Sequence, residues 1–137
     1  MMRFACLTIL LLAACSEDAD PGDALVGVYR SQDRDALCVA GEGEALRAGL
    51  IAYGTGAANC SLAGRAEARG DDLVITPRGD SECSVEIGFA NGVATVGARS
   101  PACAYYCGPG ADYSGRVLRK TPDPTPKVAD FAGDSLC

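Results

Sequence analysis

Cysteine is the residue type with the most chemical potential in this chain of 137 residues, which contains eight cysteines and no histidine. The absence of histidine excludes mixed Cys/His zinc sites and nucleophilic arrangements of the Ser-His-Asp or Cys-His kind. Cys103 and Cys107 are close in sequence, but no second close pair completes a four-thiolate zinc site. The thiols are therefore expected to form covalent links, and neither a metal nor a cofactor is expected.

Carboxylates are the remaining candidates for acid-base chemistry. Two of the acidic residues between positions 71 and 86 could form a catalytic carboxylate pair like that of a glycosidase. We interpret them as solvated charges, because the sequence pattern places them in turns or on an exposed strand face. Residues 18–23 alternate oxygen ligands before a glycine, yet they lack the closing glutamate of a calcium loop. The sequence thus predicts a protein that is not an enzyme.

The first residues have the layout of an export signal. Arg3 supplies a positive start, and residues 4–14 form an apolar run diluted only by Cys6 and Thr8. This run is shorter than the ~20 residues that a membrane-spanning helix needs. An acidic segment with proline and glycine follows at once and is poor at continuing a buried helix. Residues 1–14 are therefore predicted to be a signal peptide.

The sequence Leu-Ala-Ala-Cys at positions 12–15 resembles the lipobox of bacterial lipoproteins. In that family the cysteine thiol receives a diacylglyceryl group, the chain is cleaved just before the cysteine, and the new amino group is often acylated. The resemblance implies lipidation at Cys15, a lipidated acidic tether at residues 15–23, and a lipid bilayer as partner. Two acyl chains anchor a protein durably in a bilayer, since each buried CH₂ contributes ~0.8 kcal/mol to the free energy of membrane binding. Ser16 resembles the sorting signal for the outer membrane, so the expected location is the periplasmic side of the envelope, at the outer rather than the inner membrane.

Loss of Cys6 with the signal and acylation of Cys15 would leave an even number of cysteines, as an oxidised exported domain requires. Three disulfides are expected, and fifteen connectivities are compatible with the sequence. With no Trp and only 3 Phe in the chain, a core of small residues is expected to need this covalent support. The cysteines concerned are Cys38, Cys60, Cys83, Cys103, Cys107 and Cys137.

Short β-prone runs alternate with Gly, Asp and Asn along the rest of the chain. About eight short strands joined by tight turns predict an all-β fold, a small antiparallel meander or barrel, with a two-sheet sandwich as the alternative. Residues 46–51 could instead form a helical turn. The β domain is expected at residues 24–119 and a Pro-rich tail at residues 120–137. The predicted strands are 24–30, 36–40, 46–53, 60–69, 72–76, 83–90, 93–97 and 113–119.

The clearest predicted unit is a hairpin centred on Asn91-Gly92. Apolar residues alternate with polar or small ones before this pair, which supplies the two positive-φ positions of a type I′ turn. A two-residue loop places Phe89 opposite Ala94, so one face of the hairpin is apolar. A second hairpin turn is expected at residues 70–71.

The tail begins with residues 121–126, where prolines alternate with polar residues and make a stiff, extended linker. Val128, Phe131 and Leu136 follow, and then Cys137. Apolar side chains before a cysteine are unusual in a free tail. The end is therefore expected to fold back and to be clamped to the barrel through Cys137.

The most suggestive surface lies between Cys103 and Cys107, which enclose Tyr105 and Tyr106, with Tyr113 shortly after. Adjacent tyrosines point to opposite sides, so one can pack while the other faces out. Rigid loops with exposed tyrosine bind protein partners well, because the ring supplies contact area at low entropic cost. The alternative is a disulfide-fixed corner whose tyrosines only cover a small core.

The predicted function is a membrane-anchored, non-catalytic binding or envelope-structural module. One alternative is a hydrolase inhibitor of the lysozyme or protease type, by architectural analogy with small disulfide-stapled β-barrel lipoproteins. Another is a lipocalin-like carrier of a small ligand. Because a net charge of −6 repels phosphate backbones, a nucleic acid is not an expected partner.

Overall fold

The computed structural model describes residues 20–137, so the predicted signal peptide and the lipidation site Cys15 lie outside the described residues. Eight antiparallel strands follow one another in sequence order and close into a barrel through pairing of β1 with β8. This confirms the all-β barrel prediction, and the sandwich alternative is wrong. The strands are β1 (Gly27–Arg30), β2 (Ala36–Ala40), β3 (Arg47–Tyr53), β4 (Asn59–Arg69), β5 (Asp72–Pro77), β6 (Val85–Ala90), β7 (Val93–Arg99) and β8 (Val117–Lys120).

The hairpin of β6 and β7 forms as its turn residues predict. Asn91 and Gly92 have φ angles of 52° and 74°, and Phe89 pairs with Ala94. The hairpin of β4 and β5 turns at residues 70–71, with Arg69 opposite Asp72. The helical alternative for residues 46–51 is wrong, since Leu46 is extended and β3 begins at Arg47, while the 3₁₀ turn before them covers Gly43–Ala45.

Strand β8 begins later than predicted because the chain turns before it. Gly115 has a φ of 74°, and the N–H of Arg116 donates to the carbonyl of Tyr113 at 3.3 Å. The guanidinium of Arg116 also bonds the carboxylate of buried Asp35 at 3.2 Å and the carbonyl of Tyr53 at 2.9 Å. These contacts hold residues 113–116 as a loop across one end of the barrel.

Apolar side chains fill the interior of the barrel. An eight-stranded barrel is just wide enough for its own side chains to pack or to hold one small ligand. Here the inward-facing residues form one continuous buried cluster, with Tyr29 and Tyr113 as its largest members. Many positions are alanine, which lets two tyrosines fit inside. The barrel is therefore a packed core.

The C-terminal tail folds back onto the outside of β1, β2 and β3. Val128 and Leu136 are buried there, and a Cβ at Gly49 would overlap Leu136, so glycine allows the close approach. A disulfide joins Cys38 to Cys137. The predicted clamp is confirmed; in contrast to Val128 and Leu136, Phe131 is 66% exposed.

Two further disulfides join Cys60 to Cys107 and Cys83 to Cys103. All six predicted cysteines are thus paired. Two bridges tie a barrel strand to the tail or to a loop, and the Cys83–Cys103 bridge ties the β5–β6 loop to the 3₁₀ helix after β7. Among the residues that the structure describes, no helix is both long and apolar enough to cross a membrane.

Candidate functional site

The 3₁₀ helix Pro101–Tyr106 and its flanking residues, 100–111, form a projecting loop that we call the tyrosine corner. Proline at the first helical position sets φ for the turn. Ser100 fixes the entry, because its hydroxyl donates to the carbonyl of Glu82 at 2.6 Å and accepts the N–H of Ser84 at 2.9 Å. The corner contains no charged residue.

Disulfides hold the corner on both sides of its tip. Cys103 is bridged to Cys83 before β6, and Cys107 is bridged to Cys60 in β4. Cys107 also pairs with Cys60 as an isolated β-bridge, and the next N–H, that of Gly108, donates to the carbonyl of Asn59 at 2.9 Å. The three residues between the two cysteines therefore have little freedom to move.

Tyr105 and Tyr106 point to different sides of the corner, as their adjacent positions predict. Tyr105 is 86% exposed, whereas Tyr106 is partly buried against the core. Their rings meet edge to face, with centroids 5.3 Å apart and an interplanar angle of 87°. Such a pairing is favourable for aromatic rings. Tyr106 thus supports the exposed ring of Tyr105 from one side.

Asp80 fixes the position of Tyr106. One carboxylate oxygen accepts the tyrosine hydroxyl at 3.0 Å, and the other accepts the N–H groups of Glu82 and Cys83 at 3.1 and 3.2 Å. Desolvation first, and then the hydrogen bond and charge of Asp80, raise the pKa of Tyr106 above its ordinary value. The phenol therefore stays protonated and donates to Asp80 across the neutral range.

Tyr113 does not belong to the exposed surface, so its assignment to a partner-binding surface was wrong. Its side chain is fully buried in the core cluster that also contains Cys103. Within the described residues its hydroxyl has no hydrogen-bond partner, and burial raises its pKa, opposed by the charge of Arg99. A large aromatic side chain is drawn inward in a chain with few large apolar residues.

An ion pair flanks the corner where the chain leads into β8. Arg99 Nε lies 3.0 Å from Asp112 Oδ1, which also accepts the N–H and hydroxyl of Ser114 at 3.0 and 3.1 Å. The Ser114 N–H, followed by the Arg99 hydrogen bond, lowers the pKa of Asp112 to about 2. The uncharged tip of the corner therefore has charged residues beside it.

The other residues considered for acid-base chemistry or metal binding do not converge on a site in the described part of the chain. Acidic residues at 71, 72, 82 and 86 are exposed, and Asp80 is engaged by the corner. No group of three or more potential metal-binding side chains converges among residues 20–137. Sequence reasoning missed Asp80 as the residue that positions Tyr106, since nothing in the sequence indicates that contact.

The tyrosine corner is thus the surface whose geometry says most about function. No protein-family model, curated protein or solved structure matches this chain.

Proposed function

We propose that this protein is a bacterial lipoprotein, anchored through Cys15 at the periplasmic side of the outer membrane, whose barrel is a non-catalytic module that binds a protein partner through the tyrosine corner. The observation that carries the binding proposal is Tyr105, 86% exposed at the tip of a turn held by disulfides on both sides.

An exposed tyrosine on a rigid support suits binding for energetic reasons. Ordering a flexible side chain or loop on binding opposes association by ~0.5–1.5 kcal/mol for each immobilised side chain. The disulfides fix the backbone of the loop, and the Tyr106 contact restrains the Tyr105 ring, so part of that cost is met before the partner binds. Tyrosine is also enriched among the residues that dominate binding energy, and interface centres are depleted of charge, as the corner is.

The packed interior favours a binding surface over a carrier of small ligands. A lipocalin-like carrier needs an enclosed cavity of ~300 Å³ or more. The inward side chains of this barrel instead contact one another in a single cluster. Binding is therefore expected on the outside of the barrel.

Site-specific photo-crosslinking in the producing cells tests the proposal. A photoreactive amino acid replaces Tyr105 in the full chain, and a matched variant carries it at Arg119, an exposed position on β8. We expect a discrete protein adduct from position 105 and none from position 119. No adduct at 105, or the same adducts from both positions, would contradict the proposal.

The Tyr105→Ala variant gives the quantitative check with the partner so identified. We expect affinity to fall at least ~30-fold, which corresponds to the ~2 kcal/mol of a dominant contact residue, while the melting temperature stays unchanged. Arg119→Ala is the control and should bind like the wild type. An affinity that does not change in Tyr105→Ala would show that the corner is not the contact.

A hydrolase is a concrete partner class for such a projecting, rigid loop, because enzyme clefts are concave. This version predicts that the purified protein lowers lysozyme or protease activity at near-equimolar ratio, and that Tyr105→Ala abolishes the effect. Absence of inhibition across a broad panel would remove the inhibitor version alone, since cross-linking at position 105 reports on any protein partner.

A further inference from the structure

An open groove of about 1090 Å³ runs along the outside of β3, β4 and β5 beside the folded-back tail. Three arginines, Arg47, Arg65 and Arg78, contribute to its walls, and we call it the arginine groove. The hydroxyl residues Thr76 and Ser81 also line it. Its walls therefore carry several hydrogen-bond donors.

Strand register brings two of the arginines together. Arg47 in β3 pairs directly with Arg65 in β4, and Arg65 pairs on its other side with Thr76 in β5. Side chains directly opposite in an antiparallel pair have Cβ atoms ~4.5–5.5 Å apart, and like charges there are destabilising. The barrel thus holds two positive charges side by side against their repulsion.

No carboxylate forms an ion pair with these arginines in the part of the chain that the structure describes. Arg47 Nε donates to a main-chain oxygen of Cys137 at 3.1 Å. Two carboxylates, Glu44 and Asp80, also line the groove, but Asp80 already accepts three hydrogen bonds. The guanidinium groups of Arg65 and Arg78 therefore have no carboxylate partner among the described residues and can bind an added oxyanion.

We propose that the arginine groove binds a small ligand that carries two or more oxyanion groups, either phosphates or carboxylates. The planar guanidinium fork matches both groups through two parallel hydrogen bonds. A groove of this volume suits a small molecule. A compact ligand fits better than a long polyanion, because a chain with a net charge of −6 repels an extended anion outside the groove. This ligand site differs from the partner surface at Tyr105, although Asp80 contributes to both the groove and the tyrosine corner.

Calorimetric titration of the full, oxidised protein at low ionic strength tests the site. Inorganic pyrophosphate and citrate are the two probes, and they distinguish a phosphate ligand from a carboxylate ligand. We expect one-to-one binding of at least one probe with a Kd below ~1 mM, weakened at least ~10-fold in Arg65→Gln and in Arg78→Gln. Arg119→Gln removes the same charge outside the groove and should leave binding unchanged.

Thermal unfolding separates a ligand site from a structural role of the arginines. Without ligand, Arg65→Gln should raise the melting temperature, because it removes the repulsion with Arg47, and the binding probe should stabilise the wild type but not the variant. Failure of both probes to bind, or equal weakening by Arg119→Gln, would overturn the proposal. So would an Arg65→Gln variant that is less stable than the wild type and still binds the probe.

Discussion

Tyr105 owes its exposure to the residues around it. Tyr106 turns to the opposite side and is held by Asp80, while Cys103 and Cys107 fix the backbone on either side. The raised pKa of Tyr106 keeps its hydroxyl a donor to Asp80, and this contribution is lost as the pH rises through that raised pKa. The corner is therefore expected to keep its shape across the physiological range.

Asp112 gives a pH-dependent contribution of opposite sign. Its pKa falls from 3.8 to about 2 on folding, so the carboxylate stabilises the folded state above pH ~4, and this stabilisation is lost as the pH falls toward 2. The side chain is 53% exposed, so solvent screening limits the effect to less than ~1 kcal/mol. Asp112→Asn should lower the melting temperature at pH 7. At about pH 2 the melting temperatures of the variant and the wild type should be the same.

Thermal unfolding at pH 7, 4 and 2 checks this prediction. Asp71→Asn, which removes an exposed carboxylate in the β4–β5 turn, is the matched control and should show no such convergence. A gap between wild type and Asp112→Asn that stays constant from pH 7 to pH 2 would contradict the role of the ionised carboxylate.

At the scale of elements, the disulfides have different roles: some mainly stabilise the fold, and others position the tyrosine corner. The Cys38–Cys137 bridge spans 99 residues, whereas the Cys83–Cys103 bridge spans 20. On the chain-entropy model the longer loop contributes about 5 kcal/mol and the shorter about 3 kcal/mol. Of these two bridges, the shorter one holds the tyrosine corner, together with the Cys60–Cys107 bridge.

Two double alanine variants separate these roles. Replacing Cys38 and Cys137 should reduce the free energy of unfolding more than replacing Cys83 and Cys103 does. In this first variant, the Cys107 amide, which donates to Ala104, should still exchange with solvent only through global unfolding. Replacing Cys83 and Cys103 should lower the free energy of unfolding less. It should, however, let the Cys107 amide exchange through local opening of the corner. Urea unfolding and native-state hydrogen exchange measure both quantities. Equal local protection in the two variants would contradict a bracing role for the Cys83–Cys103 bridge.

Elements with local signals could be predicted from the sequence, whereas features that depend on strand pairing could not. Alternation before Asn91-Gly92 specified a hairpin, because turn type and register are set within a few residues. The pairing of Cys60 with Cys107 depends on how the barrel closes, which no local pattern reports. The Arg47–Arg65 contact depends on the β3–β4 register in the same way. Tyr113 was misplaced because no local pattern reveals that the residues before β8 form a loop that turns this side chain into the core.

At the scale of the whole molecule, the packed barrel, its three bridges and the proposed lipid anchor suit one environment. Disulfides persist in oxidising compartments outside the cytoplasm, where a lipoprotein is displayed. Closure of the sheet leaves no open edge for unwanted pairing, so contacts depend on side chains such as Tyr105. We therefore expect a rigid barrel, held by a membrane tether, whose binding surfaces lie on its outside.

Intact-mass spectrometry of the protein purified from its own membranes tests the lipid anchor at Cys15 and the three disulfides in one measurement. The account predicts a chain that begins at Cys15, carries a diacylglyceryl group on that residue, and has lost two hydrogens for each of three disulfides. The matched variant Cys15→Ala should yield no lipidated product. An unprocessed chain without fatty acid and with reduced thiols would contradict the account.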